Sequence, residues 1–98
     1  MKSSKQKVIR ERDIERYLVQ QLKLRGSEVR KVKWIGRRGA PDRVFWSPIG
    51  PVFVEVKRPS KFLTDAQSRE HARVNRFCQS AYLVNSFASV DSLLFQCF

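Results

Sequence analysis

Gly39-Ala40-Pro41-Asp42-Arg43-Val44-Phe45-Trp46-Ser47-Pro48-Ile49-Gly50-Pro51-Val52-Phe53-Val54-Glu55-Val56-Lys57 is the stretch on which the reading of this chain turns. Two short apolar runs, residues 43–47 and 52–56, flank a turn built from Pro48, Ile49, Gly50 and Pro51. That pattern predicts a β-hairpin. Acids stand where a hairpin should have none: Asp42 opens the first run, and Glu55 lies inside the second with Lys57 two residues on. A carboxylate within an apolar strand is costly unless it is paired or meets a cation.

Side chains two apart in a strand share a face, so Glu55 and Lys57 point the same way. Pairing of the two runs brings Asp42 and Glu55 to one end of the sheet. Two close carboxylates repel unless a cation sits between them. Hard oxygen donors suit Mg²⁺ or Mn²⁺, which bind one or two carboxylates and keep several waters. Such an ion lowers the pKa of bound water and offsets charge on a phosphoryl oxygen. Lys57 is placed to orient or deprotonate that water, or to stabilise the transition state. The set points to phosphodiester hydrolysis.

Composition agrees. Twenty Lys and Arg against nine Asp and Glu give a formal charge of +11 on 98 residues, the balance of a small domain that binds a polyanion. The expected division is a basic tail over residues 1–7 and one domain over 8–98. No apolar run approaches the ~20 residues that span a bilayer, so no membrane partner is expected. The basic N-terminus lacks the apolar segment of a secretory signal. Cys78 and Cys97 therefore read as free thiols in a reducing cytoplasm, and two cysteines with one scattered histidine make no zinc site.

Outward from the hairpin, Ile14, Leu18 and Leu22 recur at helical spacing over residues 8–25, with Gly26 as the C-cap. Glu11 falls on the same stripe and Glu15 on its edge. Residues 28–35 read as a strand with Val32 and Trp34 on one face, and residues 36–41 as a doubly basic loop. Thr64 and Gln67 match a capping box opening a helix to about residue 79, with an inward stripe of Gln67, Glu70 or His71, Val74, Phe77 and Cys78. Residues 81–84 form a last strand and 89–95 a short helix. The predicted order is α-β-β-β-α-β-α, with a parallel crossover in a mixed sheet.

These residues resemble a known family. Pro41-Asp42 followed by Glu55-Val56-Lys57 is similar to the PD-(D/E)XK nuclease signature. The wider set, with Gly39-Ala40-Pro41-Asp42-Arg43, Phe53-Val54-Glu55-Val56-Lys57-Arg58-Pro59, Gln67 and Glu11-Arg12-Asp13-Ile14-Glu15, resembles the virus-type replication-repair nucleases (VRR-NUC) over roughly residues 10–90. The resemblance implies an α/β restriction-endonuclease-like mixed sheet flanked by helices and a Mg²⁺- or Mn²⁺-dependent DNA endonuclease. Asp42, Glu55, the Val56 carbonyl and a first-helix glutamate would hold the metal. Lys57 would be the catalytic lysine, with Gln67 in support. Glu11 and Glu15 are both candidates for the helix glutamate, and Glu11 is preferred because it lies on the inward stripe.

Small stand-alone members of the family act as homodimers resembling Holliday-junction resolvases on branched DNA, and a phage or prophage origin is suggested. Arg37, Arg38, Arg43, Arg58 and Lys61 are the expected DNA contacts, in the cytoplasm of a bacterium or infected host. No small-molecule cofactor is implied. Taken singly, each acid also has an ordinary explanation, as a turn residue or surface ion pair, and Gln67 as a cap. Two rival readings follow: a non-catalytic basic DNA-binding module, or a nuclease of plain duplex or single strands.

Overall fold

The computed structural model describes residues 8–78 and 80–98; the basic tail expected over residues 1–7, and residue 79, lie outside them. The elements run α1 (Glu11–Leu24), β1 (Val29–Lys31), β2 (Arg43–Ser47), β3 (Gly50–Val56), α2 (Asp65–Phe77), β4 (Ala81–Val84) and α3 (Phe87–Cys97). One sheet has the order β1-β2-β3-β4. β1, β2 and β3 pair antiparallel, and β3 pairs with β4 in parallel across the α2 crossover. The predicted order and mixed sheet are those observed.

β1 is shorter than the strand expected over residues 28–35. Its ladder with β2 ends where the Val32 amide donates to the Asp42 carbonyl (2.8 Å). Beyond it β2 gives way to the loop before Asp42, which lies against α2 at Gly39. Trp34 accordingly leaves the sheet line. Its Nε1 donates to the Pro41 carbonyl (2.6 Å) and its ring packs on Phe53, with centroids 5.6 Å apart. β3, by contrast, begins earlier than the apolar run, at Gly50, because a two-residue turn at Pro48 and Ile49 pairs Ser47 with Gly50 directly.

Alternation along β3 divides the sheet's two faces. Val52, Val54 and Val56 join Phe45, Val84, Ile14, Leu18 and Leu22 and the α3 residues Val90, Leu93 and Leu94 in one core cluster. The helical stripe read in α1 is therefore its buried face. Its C-terminus closes in a Schellman motif, with Ser27 N–H to the Leu22 carbonyl and Gly26, at φ +74°, N–H to that of Lys23. Phe53, Glu55 and Lys57 point to the opposite face.

α2 adds nothing to the main cluster. The Thr64–Gln67 capping box is present, but the expected inward stripe holds only at Glu70 and His71. Phe77 and Cys78 are exposed. The far end of α2 is tied to β4 by polar bonds instead: the Asn75 side chain accepts from the Ala81 amide (2.8 Å) and donates to its carbonyl (3.0 Å). α3 is longer than the expected helix because Ser86 caps it two residues earlier, accepting from the Ser89 amide (2.9 Å).

Candidate active site

The site begins with a close approach. A Cβ at Gly39 would stand 2.7 Å from the Ala66 backbone carbon and oxygen, and the residue holds φ +80°. Only glycine meets both demands, so the loop preceding Asp42 lies flush on the first turn of α2. Gly39→Ala is expected to destabilise the protein by at least about 2 kcal/mol. A thermal melt measures this, and an unchanged midpoint would mean that the loop and helix part freely.

Beyond that loop, Pro41 is fully buried and Asp42 emerges half exposed. In the β2–β3 register Arg43 faces Val54; one step further, Asp42 comes opposite Glu55. Glu55 is 9% exposed, and its nearest charge partner is Lys57, with Nζ 3.9 Å from Oε2. Burial is the main force raising its carboxyl, with the Asp42 charge next and Glu11 adding to it. Lys57 and Arg43 pull the other way and lose, leaving the group pushed up to about 7. An acid so placed is short of positive charge. That is the physical fit to a cation.

The two helix glutamates part company here. Glu15 is bound to Arg43 by both oxygens, from Nε (2.6 Å) and Nη2 (2.7 Å). Glu11 is exposed at the first residue of α1, and its charge reaches Glu55. Among the described residues no three Asp, Glu, His or Cys side chains converge on one point. A cation at this place would be met by the Asp42–Glu55 pair, with backbone oxygen or water completing its shell, which is how Mg²⁺ is usually held.

Arg43, one of the expected DNA contacts, is engaged within the protein. Besides Glu15, its Nη1 donates to Asp42 Oδ1 (2.8 Å), and its side chain is 11% exposed. Burial opposes its charge, but the bonds and charges of Glu15 and Asp42 together outweigh that and hold its pKa above the usual range. Arg37, Arg38, Arg58 and Lys61 are all exposed. Arg37 leans on Glu70 (3.7 Å), which is itself nearly buried and bonded to Arg73 (2.8 Å).

Gln67 sits on the turn that Gly39 touches, but its Oε1 accepts from the Thr64 amide (2.9 Å), so the cap holds its oxygen. His71 is buried with Nε2 unpartnered, and burial lowers its pKa. The reading of the sequence missed Trp34 as the group fixing the Pro41 carbonyl, and Glu70 as the anchor of Arg37. The i,i+3 spacing of Glu70 and Arg73 was a visible signal; nothing local marks the reach of Arg37 to α2. A 370 Å³ hollow lies elsewhere, lined by Ile9, Asp13, Arg16, Tyr17, Gln20 and Phe87. Neither Asp42 nor Glu55 lines it.

A mixed sheet with helices on both faces, an acid facing an acid at the strand ends and a lysine two residues on defines a nuclease-type α/β architecture. Comparison with known proteins agrees. A solved structure described as "VRR_NUC domain" matches with TM-score 0.78 and 32% identity, over 90% of this chain and 97% of that one. A protein described as "Putative nuclease p44", from Acyrthosiphon pisum secondary endosymbiont phage 1, is 44% identical over 69 residues, covering 69% of this chain and 74% of the relative. No family profile matches the chain. The chain belongs to the VRR-NUC family of nucleases.

Proposed function

We propose that this protein is a divalent-metal-dependent DNA endonuclease that acts on branched DNA as a homodimer. The observation that carries the reading is the nearly buried Glu55 facing Asp42, with Lys57 on the same face. In this reading Asp42, Glu55 and the Val56 carbonyl hold Mg²⁺ or Mn²⁺, and Glu11 completes the negative rim. The ion supplies a water of lowered pKa and charge compensation at the scissile phosphate.

The chain's own residues do the rest. Glu55 must release its proton before it can hold the ion. Lys57 orients the attacking water and offsets charge gathering on the phosphate oxygens. Arg37, Arg38, Arg58 and Lys61 take the flanking phosphates and fix the register of the strand without reading its sequence. Gln67 keeps the first turn of α2 closed beneath the loop that leads to Asp42. Cutting a junction symmetrically takes two such sites, hence the dimer. Among the described residues no helix is long and apolar enough to cross a membrane; cytoplasmic DNA is the proposed substrate.

The test is cleavage of a labelled four-way junction, a flap and a linear duplex with Mg²⁺, Mn²⁺ or EDTA. Cutting that needs the metal and favours the junction is expected. Folded protein that binds DNA but cuts none of the three would instead be a binding module. Equal cutting of junction and duplex would remove the branch preference, and a monomer by light scattering with and without junction would remove the dimer.

A further inference from the structure

We propose that Glu15 and Arg43 are positioning residues that hold Asp42 in its working orientation, Glu15 acting only through Arg43. The inference rests on the reading of Asp42 as a cation ligand, and goes beyond it. One guanidinium makes three charge-assisted bonds: Nε and Nη2 to the two oxygens of Glu15 at 2.6 and 2.7 Å, and Nη1 to Oδ1 of Asp42 at 2.8 Å. Arg43 lies on β2 on the face of Val54, the face that α1 covers, while Asp42 is its neighbour on the opposite face. The guanidinium therefore carries a constraint from the helix around the strand end to the acid.

The constraint has something to do. Asp42 lies at the last rung of the strand ladder with its side chain 56% exposed, whereas those of Arg43 and Glu15 are 11% and 25% exposed. An exposed aspartate on a loop end samples several rotamers. Bonding Oδ1 to a group that is itself held twice removes that freedom and leaves Oδ2 to face a cation. The planar fork of arginine can serve two carboxylates at once, which lysine cannot. Outer partners of metal-binding carboxylates typically matter ten- to a hundredfold in affinity.

Charge alone predicts the opposite sign. Arg43 is a cation beside the proposed cation site, so removing it should tighten binding if its role were electrostatic, and replacing it by lysine should change nothing. The experiment is titration of the full chain with MnCl₂, following free Mn²⁺ by electron paramagnetic resonance, with folding checked by circular dichroism. Arg43→Lys and Arg43→Gln are each expected to weaken Mn²⁺ binding about tenfold or more. The double variant Glu15→Gln/Arg43→Gln, which leaves no stranded charge, serves if Arg43→Gln fails to fold; it too should bind Mn²⁺ about tenfold or more weakly than the parent. Unchanged affinity in Arg43→Lys, or tighter binding in Arg43→Gln or the double variant, overturns the proposal. Asp42→Asn separates the two readings: if it binds Mn²⁺ like the parent, the ligand role of Asp42 falls and the support with it. If it loses Mn²⁺ while the Arg43 variants keep it, only the support falls.

Discussion

Glu55→Gln is expected to end metal-dependent cutting and, in the same protein without metal, to raise its stability. Burial and the neighbouring Asp42 and Glu11 charges push the Glu55 carboxyl to about 7, against 4.5 for the free group. The folded chain thus binds a proton that the unfolded chain releases between those values, so this group's contribution to stability falls as pH rises from about 4.5 to 7. Above 7 the full penalty stands, on the order of 3 kcal/mol. Glutamine keeps the shape and never ionises. Melts in EDTA should show the variant higher by on the order of 10 °C at pH 8 and close to the parent at pH 5. A variant less stable than the parent at pH 8 would mean that Glu55 is well compensated and has no need of a cation. The same proton competes with metal, so below pH 7 the parent should lose Mn²⁺ affinity by up to about tenfold per unit.

Lys57→Ala and Asp42→Asn should each lower the cleavage rate at least about a hundredfold while changing junction affinity no more than a few-fold. The reason is the division of labour. In the proposed reading phosphates are met by the exposed Arg37, Arg38, Arg58 and Lys61, whereas Lys57 is largely covered, with its side chain 19% exposed. Single-turnover rates with saturating protein separate binding from chemistry. If either variant cuts at near the parent rate while binding normally, that residue has no part in the reaction.

Much of this was legible in the sequence, for local reasons. The hairpin announced itself through two short apolar runs and a Pro-Ile-Gly-Pro turn, and α1 through the spacing of Ile14, Leu18 and Leu22, all three buried. Thr64 and Gln67 gave the start of α2 because a capping box is a short-range device. What the sequence hid was set at long range. The engagement of Arg43 could not be read locally because its partner Glu15 is 28 residues away. The truncation of β1 depended on where the loop before Asp42 leaves the sheet to lie on α2. The exposure of Phe77 followed from Asn75 taking over the attachment of α2 to β4, which no helical wheel reveals. The preference for Glu11 over Glu15 came from periodicity. In the structure Glu15 has both oxygens bonded to Arg43, while the charge of Glu11 is felt at Glu55.

The central claim, that the hairpin acids form a divalent-cation site, is tested most directly by a crystal grown with Mn²⁺ and read by anomalous scattering. The expected result is a peak at coordination distance (about 2.1 Å) from one oxygen of Asp42 and one of Glu55, with Lys57 beside it. A Mn²⁺ peak elsewhere with these carboxylates bare, or none at saturating metal, would contradict it.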